Sequence, residues 1–364
     1  MTTASLLDLI ARKALLISDP NPRVGCLIFD NQFNEIGRGF TQQRGAEHAE
    51  IVALKSAQSK GHCLIDSIVF VSLEPCSHHG RTGPCCNALI AAGVKKVVVS
   101  IADPNPLVAG QGFARLRAAG VQVEIGEGAS EARELNIGFF SRMIRKTPWV
   151  RMKTAASLDG TTALHNGQSQ WITGDAARLD GHAWRARASA VLTGIGTVLK
   201  DNPLLDVRHV ATPRQPHLVV VDSRLETPRD ARLFGPKRQV LIYAAIDDPA
   251  KKAPLEAAGA IVICMPGAMG KVDLLAMMQD LAQREVNELH VEAGSKLNAS
   301  LIEAGVVDEY LVYFAPSLLG PGQGLAALPQ LTELTSGCAL NFVSAQMVGN
   351  DLRVIARGIG RDAF

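Results

Sequence analysis

SIVFVSLEPCSHHGRTGPCCNALIAA, residues 67–92, carries the junction that decides the fold. Ser67 to Leu73 is a short, valine-rich apolar run and reads as a buried strand. Pro84 to Ala92 reads as a helix, with proline at its entry and Gly93 just past its end. Cys76 stands where the strand runs out, and Cys85 and Cys86 stand where the helix begins. A second helix, Glu47 to Ala57, opens around His48-Ala49-Glu50. Strand exits facing helix entries are the signature of an α/β layer fold.

The alternation continues in both directions. Leu6, Leu7, Ile10, Ala14 and Leu15 recur at helical spacing, while Asp8, Arg12 and Lys13 interrupt any signal-peptide core, so a packed first helix is expected. Strands follow at 24–29 and 35–40 about a turn at Asp30-Asn31, then at 97–101 and 121–125, with a helix at 113–119 between the last two. Residues 139–148, FFSRMIRKTP, read as a basic helical tail that stops at proline. The boundary falls near residue 146, giving domains 1–146 and 147–364. The second part shows strands at 150–155, 190–193, 218–222, 239–244, 261–264, 288–292 and 310–315. Its helices lie at 175–188, 272–284 and 297–304, and a hairpin about Gly349-Asn350-Asp351 closes the chain. Two α/β domains suit a length of 364 residues.

Composition narrows the function classes. The net charge of +2, from 37 basic and 35 acidic residues, gives no field that would recruit nucleic acid or an anionic membrane. No apolar run approaches the length of a bilayer span. Seven cysteines, three of them within eleven residues, fit a disulfide framework poorly and a reduced, cytoplasmic metal protein well. Cys26, Cys63, Cys264 and Cys338 sit among apolar residues and read as inert core thiols.

His48, Cys76 and Cys85 supply one imidazole and two thiolates. Zinc takes such ligands tetrahedrally, and a catalytic site leaves the fourth position to a water that the ion acidifies. Glu50 is the candidate proton shuttle from that water to a departing amine. Residues two apart on a regular helix point about 200° from each other, so His48 must lie at the helix's first, irregular turn if both serve one site. Cys85 is chosen over Cys86 because a helix entry favours a thiolate, although the spacing alone leaves both open. A closed zinc knuckle with His78 or Cys86 as fourth ligand would leave Glu50 without a purpose. The loop between the cysteines is either a plain solvated loop or a grip in which His78 and Arg81 hold a substrate phosphate.

His-x-Glu followed by Pro-Cys-x-x-Cys is the pattern of zinc nucleobase deaminases; here eight residues, not two, separate the cysteines. Together with DPNPRVGC at 19–26, Lys153 to Thr161, SQWIT at 169–173 and VEAG at 291–294, these segments resemble the bifunctional deaminase/reductases of riboflavin biosynthesis over nearly the whole chain. The resemblance implies a cytidine-deaminase-like three-layer domain followed by a dihydrofolate-reductase-like domain. It implies zinc-dependent deamination of 2,5-diamino-6-ribosylamino-4(3H)-pyrimidinone 5′-phosphate. NADPH reduction of the ribosyl group of the resulting aminouracil to ribityl would follow. By the same likeness Asn21 holds the pyrimidine, and Ser169, Arg185, Leu205, Arg208 and Glu292 bind the sugar phosphate. Ala155, Trp171, Thr197, Asp201, Ser223 and the turn Gly294, Ser295, Lys296, Leu297, Asn298, Ala299, Ser300 bind NADPH. A homodimer through the second domain is implied as well.

Read without the resemblance, the second domain says less. Gly194-Ile195-Gly196 follows a strand, but Leu199 stands where a dinucleotide fingerprint has its third glycine, so no Rossmann site is expected. The turns at 194–197 and 292–295 offer backbone amides to a phosphate, each a weak signal alone. Arg185 and Arg208 are either phosphate clamps or ordinary surface arginines. Ser223-Arg224 suits the 2′-phosphate of NADPH, and Lys153 and Asp159 are candidates for proton transfer or sugar contacts. Two rival readings are a deaminase of another nucleobase whose second domain only binds a ligand, and a zinc-stabilised nucleic-acid binder. Scarce aromatics and a near-neutral charge oppose the latter.

Overall fold

The computed structural model describes residues 2–77, 83–106 and 108–364, and divides into two compact units, Met1–Arg145 and Lys146–Phe364. The first unit contains strands β1 (Gly25–Phe29), β2 (Glu35–Phe40), β3 (Ile68–Val71), β4 (Lys96–Val99) and β5 (Gln122–Ile125). Its helices are α1 (Thr3–Ala11), α2 (Ala49–Ser59), α3 (Cys85–Ala91), α4 (Gln111–Ala118), α5 (Ala129–Leu135) and α6 (Ile137–Arg145). The sheet order is β2-β1-β3-β4-β5, with β1 antiparallel to both neighbours and the rest parallel.

Glycines show how closely the layers meet. Gly25 pairs with Phe40, so the adjoining Gly39 faces the opposite side of the sheet. A Cβ on Gly25 would lie 2.6 Å from the Leu7 carbonyl of α1, and one on Gly39 would overlap the Ala49 carbonyl of α2. Helices therefore press on both faces, one of them against the strand pair that adjoins His48.

Residues 139–148 do not form a tail. Phe139 and Phe140 on α6 are buried, and Arg142 Nη2 donates to the Pro20 carbonyl at 3.4 Å. Asn136, at the α5–α6 junction, accepts from Arg23 N at 2.7 Å and donates to its carbonyl at 3.0 Å. These contacts fix the Asp19–Pro22 loop ahead of β1.

The second unit contains β6 (Trp149–Ser157), β7 (Ala190–Gly194), β8 (His217–Val221), β9 (Val240–Ala244), β10 (Ala260–Cys264), β11 (Glu288–Val291), β12 (Glu309–Ala315), β13 (Leu340–Val348) and β14 (Asp351–Gly358). Its helices are α7 (Asp175–Arg187), α8 (Ile195–Asp201), α9 (Pro249–Ala257), α10 (Leu274–Gln283) and α11 (Ser295–Glu303). The sheet order is β10-β9-β8-β7-β11-β6-β12-β14-β13; β6 to β12 are parallel and the last two strands antiparallel. Alternate residues feed two cores: Leu192, Val219 and Leu241 enter one, Val191, Leu218 and Val240 the other. Burial on both faces explains why these strands read as unbroken apolar runs.

Three helices escape the sequence reading, α5, α8 and α9. α8 starts directly on glycines that resemble a bare turn, and α9 carries Pro254 in its interior. α9 forms because Asp248 caps it, accepting from Ala250 N at 3.0 Å with Pro249 in the first turn. The cysteine reading also needs correction: Cys26 is buried, but Cys63, Cys264 and Cys338 are exposed. Among the described residues, no helix is long and apolar enough to cross a membrane.

Candidate active sites

In the first unit, α2 begins at Ala49 rather than Glu47, and His48 is its N-cap residue with extended backbone, φ −75° and ψ 163°. This removes the 200° difficulty, because only Glu50 has helical geometry. Cys76 lies five residues past the end of β3, and Cys85 is the first residue of α3, whose N-cap is Pro84. His48 Nδ1 lies 3.6 Å from Cys76 Sγ and 3.4 Å from Cys85 Sγ, and all three ligand atoms fall within 4.8 Å of one another. Around a tetrahedral zinc, nitrogen and sulfur ligands stand about 3.5–3.8 Å apart. The donor set and its spacing fit that ion.

Cys86 points elsewhere: its Sγ donates to the carbonyls of Pro75 at 3.2 Å and Gly112 at 3.6 Å. Burial pushes its thiol up to about 12. The helix entry acts differently from expectation, since the Cys85 backbone N–H donates to Cys76 Sγ at 3.3 Å rather than serving its own sulfur. Hydrogen bonds from Cys85 lower the Cys76 thiol to about 4, whereas the hydrogen bond with Cys76 and burial raise that of Cys85. Glu50 is 4% exposed, and burial raises its carboxyl to about 7.

Glu74 is a residue the sequence did not single out. It is buried, and its carboxylate accepts from Asp103 N, Gly110 N, Gly112 N and Phe113 N at 3.0–3.3 Å. Three amides at the α4 entry and that of Asp103 thus anchor the residue two before Cys76. A Cβ on Gly112 would overlap the Pro75 carbonyl, so glycine is required there. Asn21 lies in the loop that Asn136 and Arg142 secure; its backbone N–H donates to Ser18 O at 2.8 Å. His78 and Arg81 lie outside the described residues.

In the second unit, one cleft of about 1970 Å³ runs along the carboxyl ends of the parallel strands. Ser169, Arg185, Leu205, Arg208 and Glu292 line it, as do Ala155, Trp171, Thr197, Asp201 and Ser223. Gly294 to Asn298 and Ser300 line it too, but Ala299 is 5% exposed and turned into the core. Trp171 is 72% exposed, with the Arg178 guanidinium 4.6 Å from its ring centre. Leu205 has φ 51°, and Arg238 donates to the carbonyls of Leu204 and Leu205, holding that strained turn against the cleft. Arg185 forms a two-pronged pair with Glu292, and Arg208 pairs with Asp206.

Lys153 lines the cleft, and burial lowers its ammonium from the usual lysine range, partly offset by Glu292. Asp159 does not share that position. Its carboxylate accepts from Ser157 Oγ, Leu319 N and Gly320 N, which makes it an anchor of the 319–320 loop. His182 was missed. Its Nδ1 accepts from Arg208 N at 3.1 Å, and burial drives it down to about 4, so it stays a neutral acceptor. Its place three residues before Arg185 on α7, one turn away on the same face, was the available signal.

The comparisons agree unit by unit. Residues 2–101 match the cytidine and deoxycytidylate deaminase zinc-binding region, and residues 148–354 match the RibD C-terminal domain. Riboflavin biosynthesis protein RibD of Escherichia coli is 41% identical, covering 94% of this chain and 95% of that protein. The Haemophilus influenzae protein is 38% identical over 95% of this chain and 94% of its own. The chain belongs to the RibD family. It is a bifunctional deaminase/reductase of riboflavin biosynthesis, a hydrolase joined to an oxidoreductase. Among solved structures, Acinetobacter baumannii RibD superposes with a TM-score of 0.89 at 36% identity, covering 98% of this chain and 97% of that one. A Thermotoga maritima family member does so with a TM-score of 0.85 at 30% identity, covering 97% of both chains. That relative is described as a diaminohydroxyphosphoribosylaminopyrimidine deaminase and 5-amino-6-(5-phosphoribosylamino)uracil reductase.

Proposed function

We propose that the first unit hydrolytically deaminates 2,5-diamino-6-ribosylamino-4(3H)-pyrimidinone 5′-phosphate, and that the second reduces the ribosyl group of 5-amino-6-(5-phosphoribosylamino)uracil to ribityl with NADPH. The observation that carries this reading is the His48–Cys76–Cys85 triangle with buried Glu50 beside it. His48, Cys76 and Cys85 hold zinc, which when bound supplies a Lewis acid able to make water nucleophilic near neutral pH. Glu50 takes a proton and returns it to the pyrimidine nitrogen and the leaving amine. Its burial beside the metal ligands keeps bulk water from competing in that transfer. Asn21 holds the pyrimidine; its side chain has no hydrogen bond among the described residues and is available to a ligand. His78 and Arg81 hold the phosphate.

In the second unit NADPH supplies the hydride, and the protein's work is orientation. Ala155, Trp171, Thr197, Asp201, Ser223 and residues 294–300 bind the cofactor. Ser223 and Arg224 meet the 2′-phosphate that distinguishes NADPH from NADH. Ser169, Arg185, Leu205, Arg208 and Glu292 bind the phosphorylated sugar, and Lys153, with its lowered proton affinity, contacts the reacting sugar. An exposed apolar edge on β13, with Phe342 at 83% and Met347 at 63%, supports a homodimer through this unit.

Arg208→Ala tests the phosphate clamp. Losing one charge-assisted grip should raise the KM of the reductase step about tenfold or more, with ammonia release unaltered. An unchanged KM would remove Arg208 from the phosphate site.

A further inference from the structure

Arg185 and Glu292 occupy each other: Arg185 Nη2 donates to Glu292 Oε2 at 2.8 Å, and Nε donates to Oε1. Nη1 donates to the Asp206 carbonyl at 2.8 Å, so all three guanidinium nitrogens are already engaged and a phosphate taken in two-pronged fashion competes with these partners. When phosphate draws Arg185 away, Glu292 loses both donors while its side chain is only 15% exposed. An ionised carboxylate so enclosed needs another donor.

That donor stands two residues earlier on the same face of β11. His290 is 0% exposed, and neither of its ring nitrogens has a hydrogen-bond partner among the described residues. Its Nε2 lies 3.4 Å from Glu292 Oε1, within ion-pair reach but not aligned as a hydrogen bond. A fully buried imidazole with no aligned hydrogen bond on either nitrogen is uncommon, because buried polar groups are almost always paired. Burial holds the ring below the usual histidine range, and Arg151 on β6 and Arg185 on α7 press it the same way against the opposing pull of Glu292. The ring is therefore neutral, with a single N–H to give.

We infer that His290 is a positioning residue of the reductase site, its Nε2–H turning to Glu292 when the substrate's phosphate takes Arg185. Glu292 is then held for the sugar without its original partner. The inference rests on the reading that Arg185 and Glu292 contact the substrate.

The test uses the full chain with the phosphoribosylamino-uracil and NADPH. It compares wild type, His290→Leu (similar volume, no donor), His290→Gln (donor retained) and Glu292→Gln. His290→Leu should raise the reductase KM about tenfold, leaving the Kd for NADPH and the rate of ammonia release at wild-type values. His290→Gln should recover most of the loss. A wild-type KM in His290→Leu overturns the inference, and so does a His290→Gln enzyme as impaired as His290→Leu, which would make packing the cause. If His290→Leu disturbs NADPH binding, His290→Met is the second non-donor and is judged by the same outcomes. Glu292→Gln separates the layers: if it matches wild type, the underlying reading fails and the inference with it. If it is impaired while His290→Leu is not, only the inference fails.

Discussion

Replacing Glu50 by glutamine is expected to lower ammonia release by about two to four orders of magnitude, the range that a positioned general acid–base contributes. Zinc content should stay at one ion per chain, and NADPH oxidation on supplied aminouracil should continue. The substitution keeps the shape and the buried volume and removes the carboxyl's capacity to take up and return a proton. The side chain is 4% exposed, so no water can readily stand in for it. It is also the one residue of the cluster that neither donates nitrogen nor sulfur to a metal. Metal analysis alongside the ammonia assay decides the matter: zinc lost with activity would make Glu50 structural.

The second large effect separates adjacent cysteines. Cys85→Ser should lose zinc and deamination together, because Cys85 Sγ lies 3.4 Å from His48 Nδ1 and completes the three-ligand triangle. Cys86→Ser should retain both, since Cys86 is occupied by the carbonyls of Pro75 and Gly112. A serine hydroxyl can donate to the same carbonyls. Zinc retained in Cys85→Ser and lost in Cys86→Ser would reverse the assignment.

Much of this was legible in the sequence, and the reasons for the rest are physical. The α/β series could be read because β7, β8 and β9 are buried on both faces and so appear as plain apolar runs. His48 and Glu50 could be paired because an N-cap residue is freed from helical direction, a condition that the two-residue spacing itself demanded. Glu74 could not be found, because its four amide partners lie 29 to 39 residues away. The exposure of Cys63, Cys264 and Cys338 escaped for a similar reason: apolar sequence neighbours do not make a buried site. Asp159 reads from the sequence as a candidate for proton transfer or sugar contacts, and its hold on Leu319 and Gly320, 160 and 161 residues away, is not legible there. The cleft-lining residues of the second unit came from family likeness. Side-chain chemistry alone left Arg185 indistinguishable from a surface arginine until its pairing with Glu292 was visible.

The most direct test of the two-activity account is incubation of the zinc-loaded chain with the diaminopyrimidinone phosphate, with and without NADPH, followed by product mass and ammonia. The account predicts ammonia in both reactions, a ribityl product only with NADPH, and one NADPH consumed per ribityl formed. A deaminated but unreduced product in the presence of NADPH would contradict it.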